Sequence, residues 1–385
     1  MSQWPMVKLG DVCTFSSGGT PNRKKPEFYS GTIPWISSAD INENGDISTR
    51  RYITDEAIQR SSAIVVPPGT LLLVTRTGVG KVSVSQYALS FSQDITAIEI
   101  NNQSIDKDYL VQTIRHFAAP RLLSKARGAT ILGVKRNDVS NLEIPLPPLE
   151  EQRRIAQVLT QTSLNISNTK QRIDLLNTIC RTPIFANPSR PSTELKEYIR
   201  TISTGKSVKD TSDPNSGNKI LKISAVTSGF FKGNETKYLP VEYSPKESHA
   251  VDYGNLLVSR ANTSEMIGAS ALVDQDESNV FLPDKLWKII PAKDVSKEAI
   301  WHLLQLPTIR KRMSQVATGS SGSMKNISQR SFLKVEVPDL TLSEISSITE
   351  VVKRILSTRK LLLKKLTLLE ELHQSLATRA FAGQL

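Results

Sequence analysis

The sequence contains few of the residues that bind metals or form disulfide bonds. It has two cysteines, Cys13 and Cys180, and four histidines, all scattered along 385 residues. Zinc sites and disulfide frameworks need such residues at short, paired spacings. We therefore expect two reduced thiols and no clustered metal site.

Long apolar runs are also missing. No run approaches the roughly 20 residues of a membrane span, and the start MSQWPMVKLGDV lacks the apolar core of a signal peptide. These features predict a cytoplasmic protein. The net charge is +12 and the isoelectric point is near 9.6, which favours a polyanionic partner, nucleic acid rather than an acidic membrane surface.

Enzyme motifs are incomplete or absent. The loop TGVGKV, Thr77 to Val82, has Thr75 where a nucleotide-binding Walker motif needs glycine, and Val82 where it needs serine or threonine. The triplet Glu194-Leu195-Lys196 has no preceding acidic partner of the kind found in nucleases. No glycine-rich fingerprint for S-adenosylmethionine and no Asn-Pro-Pro-aromatic motif is present. We expect a chain without catalytic residues.

An internal repeat with a period of about 190 residues indicates a duplication of whole domains. Matching blocks recur in the same order: IPWISSADI (from Ile33) with ILKISAVTSG (from Ile220), GTLLLVTRTGVGKVSV (from Gly69) with GNLLVSRANTSEMIGASALV (from Gly254), and FSQDITAIEI (from Phe91) with FLPDKLWKII (from Phe281).

Within each copy, short β-rich segments alternate with helical patches, which favours a mixed α/β (α+β) domain. Two such domains, each followed by a helix, account for the chain. The predicted bounds are 1–147 for the first domain, 148–186 for the central helix, 187–339 for the second domain and 340–385 for the C-terminal helix.

The segment PLPPLEEQRRIAQVL predicts a stiff joint between the first domain and its helix. Pro145, Pro147 and Pro148 favour extended backbone leading into a first helical turn. Glu150 and Glu151 then lie in that turn, where the helix dipole favours negative charge. A weaker version, VPDLTLSEI, begins at Val337.

Apolar residues at heptad spacing follow each joint. The two seams are Ile155, Leu159, Ile166, Ile173 and Leu176 in the first helix, and Ile348, Val352, Ile355, Leu362, Leu366 and Leu369 in the second. Thr162 and Thr169 weaken the first seam, and Arg359 and His373 interrupt the second. Two seams in one chain can bury each other as a coiled coil, antiparallel if the repeats are related by a pseudo-two-fold axis. Alternatively, each helix is a core helix of an ordinary domain.

Several of these stretches resemble the specificity subunit of type I restriction-modification systems: PLPPLEEQRRIAQVL, SGGTPNRKKPEFYSGTIPWISSADI, TRTGVGKV and AFAGQL. The resemblance covers essentially the whole chain. It implies two target recognition domains that each read half of a split duplex DNA site, with conserved helices between them that set the gap. It also implies two methyltransferase subunits that use S-adenosylmethionine, and restriction subunits that use ATP and Mg²⁺, with no chemistry in this chain.

Cations in turn-rich segments are the candidate DNA-binding residues. Arg76 follows an apolar strand, and Arg260 is its expected counterpart in the repeat; an arginine at the end of a strand can bind guanine O6 and N7 with two hydrogen bonds. Trp35 and Trp287 are expected in the core. The predicted set is Arg23, Lys24, Lys25, Thr75, Arg76, Thr77, Arg127, Lys135, Arg136, Asn137, Lys206, Lys209, Arg260, Asn262, Lys325, Asn326 and Arg330.

Other interpretations of these residues remain open. The basic turn around Arg23 could be merely solvated, and Arg76 could pair with a carboxylate of its own domain. The chain could instead be a coiled-coil scaffold for protein partners with only non-specific affinity for DNA, which would show salt dependence without sequence preference. A stand-alone nuclease or methyltransferase would require activity of the chain with Mg²⁺ or S-adenosylmethionine.

Overall fold

The computed structural model describes residues 3–128, 132–185, 189–208, 215, 217–319 and 324–385. The chain divides into unit 1, Met1–Thr169 with Lys365–Leu385, and unit 2, Lys170–Lys364. Both units are mixed α/β, which confirms the predicted fold class. The four predicted domain bounds are not tested by this division and stay predictions. In the described part of the chain, no helix is both long and apolar enough to cross a membrane.

Unit 1 contains ten strands and six helices that begin within its N-terminal segment, among the described residues. The strands are β1 (Met6–Lys8), β2 (Cys13–Ser17), β3 (Ile33–Ile36), β4 (Arg51–Ile53), β5 (Val65–Val66), β6 (Leu71–Val74), β7 (Val82–Val84), β8 (Leu89–Phe91), β9 (Ile95–Ile100) and β10 (Glu143–Pro145). The helices are α1 (Leu9–Val12), α2 (Asp55–Gln59), α3 (Lys107–Thr113), α4 (Ala119–Lys125), α5 (Arg136–Ser140) and α6 (Leu149–Ile179). A π-helical turn, Ile114–Ala118, joins α3 to α4.

Unit 2 has the corresponding elements. Its strands are β11 (Ser192–Glu194), β12 (Ile199–Thr204), β13 (Lys219–Leu221), β14 (Thr236–Tyr238), β15 (Leu256–Ser259), β16 (Ala261–Asn262), β17 (Ser270–Leu272), β18 (Val280–Phe281), β19 (Leu286–Pro291), β20 (Lys325–Asn326) and β21 (Glu336–Pro338). Its helices are α7 (Lys297–Gln305), α8 (Pro307–Val316), α9 (Gln329–Leu333) and α10 (Leu342–Ala382).

Strand order repeats between the units. Unit 1 has one sheet ordered β2-β9-β6-β7, and unit 2 has β12-β19-β15-β17. In each sheet the central apolar strand is fully buried, because β6 and β15 read LLLV and LLVS and pair on both edges. A parallel pair also recurs, β3 with β8 and β13 with β18. The duplication predicted from the sequence blocks is confirmed by this topology.

Both long helices contribute to the core of unit 1, and in unit 2 the core includes α10, with the partly buried Leu176 of α6 packed against it. In unit 1, Ile155 and Leu159 of α6 are fully buried with Tyr109 and with Phe381 of α10. In unit 2, Val352 of α10 is fully buried in a cluster that includes the α7 side chains. Burying side chains of this size contributes about 1.5–3 kcal/mol each. Within the units, the long helices therefore pack against each other and also against the globular part of the unit.

In unit 1 the two helices run antiparallel. In unit 1, Arg154 of α6 donates to the Leu385 carbonyl at 2.8 Å, and Thr162 lies 2.7 Å from His373. In unit 2, Arg359 of α10 donates to Asn177 at 2.9 Å. Residues later in α6 therefore contact residues earlier in α10, as an antiparallel pair requires.

Candidate DNA-binding surfaces

The segment after β6 in unit 1 presents an exposed arginine on a small strand ladder. Arg76 pairs with Gly133, which in turn pairs with Arg127. Both arginines are exposed, as is Thr77, whose φ of 52° makes the chain turn there. Thr75 is 4% exposed and its hydroxyl donates to the Asp94 carbonyl at 3.2 Å, so its side chain is not available to a ligand.

The glycines of TGVGKV serve backbone geometry. Gly80 has a φ of 98°, and a Cβ built there would lie 2.6 Å from the Cβ of Ala119 in α4. The loop therefore rests directly on α4, and a larger residue would displace it. Lys81 forms an ion pair with Glu43 at 2.9 Å. These contacts fix the end of the loop that contains Thr77.

The hydrogen-bond register shows that Arg260 corresponds to Thr75. In unit 1, the Thr75 amide donates to Asp94 at 2.8 Å and its carbonyl accepts from Val134 at 2.9 Å. In unit 2, the same two bonds join Arg260 to Lys285 at 3.0 Å and to Ile327 at 2.9 Å. The predicted equivalence of Arg76 and Arg260 is therefore wrong.

One extra residue explains the difference. GTLLLVTR has one residue more between its glycine and its arginine than GNLLVSR. Successive side chains of a strand point to opposite faces, so a shift of one position changes the direction of the side chain. Arg76 is exposed, whereas Arg260 is half-buried and its Nε has no hydrogen-bond partner among the described residues.

The ladder of unit 2 brings the other predicted residues together. Asn262 pairs with Lys325 and Ala261 with Asn326, and Asn326 also pairs with Thr318. Asn262 is half-buried; its Oδ1 accepts from the Thr263 amide at 2.9 Å, while its Nδ2 has no partner in the described part of the chain. The Lys325 ammonium donates to the Ser314 carbonyl at 3.3 Å.

A short helix follows each ladder. In unit 1, Lys135, Arg136 and Asn137 begin α5 and are exposed, and Arg136 donates to the Phe15 carbonyl. In unit 2, Arg330 is exposed in α9. The second predicted basic cluster of each unit thus lies beside the ladder, and Lys135 and Arg330 are its exposed cations.

The remaining predicted cations lie in other loops. Arg23 and Lys24 are exposed, and the Lys25 ammonium lies 5.1 Å from the centre of the Phe28 ring. Lys206 is exposed and lies 6.0 Å from the Tyr243 ring centre. Lys209 lies outside the described residues.

Both singled-out tryptophans are packed inside, as expected. Trp35 is fully buried and donates to the Gly19 carbonyl at 3.0 Å. Trp287 is 1% exposed and packs against Phe332, with ring centres 5.3 Å apart. Neither ring is available for stacking on a base.

A buried glutamine fixes the first joint. Gln152 is fully buried; its amide nitrogen donates to Ser104 and Pro147, both at 2.8 Å, and its Oε1 accepts from the Asp106 amide at 2.7 Å. The helix start is therefore bonded to the globular part of unit 1. The sequence prediction treated the prolines as the joint and missed this residue.

The second joint uses a different cap. Thr341 and Glu344 form reciprocal backbone and side-chain bonds at the start of α10, and Glu344 pairs with Arg190. The Arg190 guanidinium and the Thr341 bonds lower the pKa of Glu344 to about 2. VPDLTLSEI therefore makes a capped helix start without the proline run.

The seam residues are buried to different degrees. Ile155, Leu159, Ile173, Ile348, Val352 and Ile355 are buried, and Ile166, Leu176, Leu362, Leu366 and Leu369 are half-buried. The polar residues that interrupt the second seam, His373 and Arg359, each contact a polar side chain of the first helix. His373 meets Thr162 and lies 3.2 Å from the Nε2 of His116, whereas Arg359 meets Asn177 and stacks 3.7 Å from the Phe230 ring centre.

The thiols and other metal-binding groups are dispersed in the structure. Burial raises the pKa of the Cys13 thiol to about 12 and that of Cys180 to about 11. Both cysteines are free and buried. Among the residues that the structure describes, no group of three or more histidine, cysteine, aspartate or glutamate side chains could hold a metal ion.

Known proteins with similar sequences point to one family. Residues 1–178 match the type I restriction modification DNA specificity domain. The MjaVIII specificity subunit of Methanocaldococcus jannaschii is 24% identical over 91% of this chain and 86% of that protein, and the EcoKI specificity subunit of Escherichia coli is 27% identical over 99% and 89%. The match to the MjaIX specificity subunit of M. jannaschii, at 30% identity, spans 46% of this chain and 41% of that protein.

Solved structures have the same fold. The S subunit of a type I restriction-modification system from M. genitalium covers 99% of this chain and 96% of its own, with a TM-score of 0.65 at 13% identity. A chain from a structural study of assembly of the type I system covers 99% and 98%, with a TM-score of 0.53 at 18% identity. In sequence, the chain is thus similar to type I restriction-modification specificity subunits over nearly its whole length, and its first 178 residues match the DNA specificity domain of that family.

Proposed function

We propose that this chain reads a bipartite duplex DNA site for a type I restriction-modification complex. The observation that carries the proposal is the repeated surface ladder. In each unit the segment after the buried central strand pairs with a later segment, and the pairing brings polar and basic residues together. Arg76 pairs with Gly133, which also pairs with Arg127, in unit 1, and Asn262 pairs with Lys325 in unit 2. The two ladders differ in residue and in register, so the two half-sites should differ in sequence.

The exposed cations have two roles in this proposal. Arg76 is suited to read guanine, because its guanidinium can donate to O6 and N7 together. Lys135 and Arg330, beside the ladders, are suited to phosphate, which fixes position without reading sequence. A net charge of +12 strengthens both through release of counterions from DNA.

The complex supplies the chemistry in this proposal. We propose two methyltransferase subunits that use S-adenosylmethionine, and restriction subunits that use ATP and Mg²⁺, as partners in the cytoplasm. This assignment is supported by the similarity to specificity subunits of type I restriction enzymes. The helix joints, each fixed by side-chain bonds, support a chain that positions other subunits.

Selection of duplexes from a randomised library tests the reading function. The complex should enrich two fixed half-sites separated by a gap of constant length. Methylome sequencing of cells that carry the intact complex should reveal the same split motif. Enrichment without any base preference, but with full salt dependence, would instead support a scaffold with non-specific DNA affinity.

Arg76→Ala tests the residue assignment in the same selection. One half-site should lose preference at one base pair, at a cost of about 1–3 kcal/mol, and the other half-site should be unchanged. Lys135→Ala is the matched control, because loss of a phosphate contact weakens all sequences equally. Equal weakening by Arg76→Ala would assign that residue to phosphate.

A further inference from the structure

The two surface ladders share one hydrogen-bond pattern around their middle strand. In unit 1, the backbones of Gly133 and Arg127 exchange two hydrogen bonds, at 3.0 and 3.1 Å. In unit 2, the backbones of Asn326 and Thr318 exchange two hydrogen bonds, both at 2.8 Å. Gly133 and Asn326 therefore occupy the same place in the two ladders.

The residue on the other side of each middle strand also corresponds. Gly133 pairs with Arg76, and Asn326 pairs with Ala261. Each of these partners directly follows one of the two residues that are equivalent in register. Residues that pair directly lie on one face of a ladder, so each unit presents a row of three side chains. The first row is Arg76, Gly133 and Arg127, and the second row is Ala261, Asn326 and Thr318.

The two rows place their long polar side chains at different positions. In the first row, a Cβ built on Gly133 would lie 2.9 Å from the Cγ of Arg76, so the arginine stem crosses the space where a side chain would lie. In the second row, the middle residue is Asn326, and its neighbour Ala261 has no side chain beyond Cβ. In each row, a small residue thus leaves room for the polar side chain next to it.

The side chain of Asn326 is available to a ligand. It is exposed, and no hydrogen bond among the described residues uses its amide group. The guanidinium of Arg76 is likewise exposed and makes no hydrogen bond to another described residue. Ala261 is 1% exposed and has no polar side-chain group. Where unit 1 presents an arginine, unit 2 thus presents an asparagine from the neighbouring strand.

The chemistry of these two side chains assigns different bases. A guanidinium donates to O6 and N7 of guanine, whereas an asparagine amide accepts from N6 of adenine and donates to its N7. We propose that Asn326 reads an adenine in the second half-site, at the position that corresponds to the guanine read by Arg76 in the first. Gly133 and Ala261 are positioning residues, because they leave room for these side chains. This inference rests on the proposed function.

Exchange of the rows tests the assignment in the full complex. Ala261→Arg combined with Asn326→Gly gives unit 2 the residue pair of unit 1, and one adenine of the second half-site should become guanine in the selected duplexes. Arg76→Ala combined with Gly133→Asn should change one guanine of the first half-site to adenine. In each double variant the other half-site should stay the same, and it is the internal control.

Truncation and a base analogue test the same contact without relying on the folding of the exchange variants. Asn326→Ala should lower the preference for adenine at one base pair about 5- to 150-fold. An adenine analogue in which carbon replaces N7 should weaken wild-type binding at that base pair and leave binding by Asn326→Ala unchanged. Gln329→Ala is the matched control, because it removes an exposed amide at the start of α9, outside the ladder.

The melting temperature distinguishes base reading from a structural role. Asn326→Ala should melt at the wild-type temperature, because its amide makes no hydrogen bond to the described part of the free protein. A lower melting temperature with equal weakening of all duplexes would make the residue structural. Equal weakening at the wild-type melting temperature would assign it to phosphate. Either result would overturn the inference.

The outcomes separate this inference from the proposed function. A wild-type complex without base preference would overturn the proposed function. A selective wild-type complex in which Arg76→Ala loses one guanine, while Asn326→Ala keeps every preference in the second half-site, would overturn this inference alone. Loss of preference at a base pair other than adenine–thymine would overturn the assignment of adenine to Asn326.

Discussion

Lowering the pH from 7 to 5 should destabilise both units through histidines that the fold keeps neutral. In unit 1, burial, His373 and Arg115 lower the pKa of His116 to about 4. In unit 2, burial lowers the pKa of His302, which is 2% exposed, to about 4. Burial also lowers the pKa of His373.

The size of the effect follows from proton linkage. A histidine of the unfolded chain has a pKa of about 6.5, so between pH 6.5 and 4 the unfolded chain binds more protons than the folded chain. The stabilisation is complete above pH 6.5 and is lost as the pH falls towards 4. A shift from 6.5 to about 4 corresponds to a loss of about 2 kcal/mol per histidine between pH 7 and pH 5.

Urea unfolding at pH 7 and pH 5 measures this loss, with pulsed hydrogen exchange and mass spectrometry to follow peptides of each unit. His116→Gln keeps a donor and an acceptor but does not titrate, so unit 1 should lose about 2 kcal/mol less than in wild type. Unit 2 of the same variant is the internal control and should lose as much as in wild type. His302→Gln should give the reverse pattern.

A pH dependence of unit 1 that is the same in wild type and His116→Gln would refute this reasoning. Carboxylates do not produce the expected pattern, because they take up protons at lower pH than histidines do. The pKa of Glu344, for example, falls to about 2, so its contribution is lost below the ordinary range of a glutamate, under about pH 4.5.

Three further changes have defined outcomes. Phe381→Ala should lower the stability of unit 1 by about 3–5 kcal/mol, because the ring is 5% exposed and packs on Tyr109; an unchanged urea midpoint would contradict it. A fragment ending near Asn187 exposes its helix seam and should form dimers in analytical ultracentrifugation, whereas a folded monomer with full DNA binding would count against the seam. Gly80→Ala should shift the TGVGKV loop off Ala119 and reduce preference at the half-site read by Arg76, and an unchanged selection would show that the loop tolerates the methyl group.

The helix starts were predictable because their signals are local. Proline geometry and acidic first-turn residues predict a helix after Pro148, and α6 begins at Leu149. The bonds of Gln152 were not predictable, because Ser104 and Asp106 are about 48 residues away in sequence and only the folded chain brings them close. The prediction thus identified the joint and missed the residue that fixes it.

The site was predicted less well than the fold. Residue types showed which segments are basic, and Arg76, Lys135 and Arg136 are exposed as a DNA contact requires. Whether the side chain of a strand residue faces solvent or the core depends on the register of the strand. Alignment of the repeats by residue identity matched Arg260 with Arg76, one position away from its true counterpart, Thr75. Counting residues from the glycine that begins both blocks, Gly69 and Gly254, aligns Arg260 with Thr75, as the structure does.

When each helix is considered alone, Thr162, Arg359 and His373 are polar interruptions of an apolar seam. Placed antiparallel, Thr162 faces His373 and Asn177 faces Arg359, so each polar group has a polar partner. Such pairs favour one register, since any shift would bury a polar group against leucine.

The discontinuity of unit 1 affects how the protein is made. Residues 170–364, about 195 in all, are synthesised between the first segment of unit 1 and the helix end that covers it. At roughly 5–20 residues per second, Ile155, Leu159 and Tyr109 lack that cover for about 10–40 s. All residues of unit 2 are synthesised before the last residues of unit 1. A chain that stops within the last 20 or so residues would leave a complete unit 2 attached to an open unit 1, and the exposed apolar side chains would mark it for chaperones and proteases.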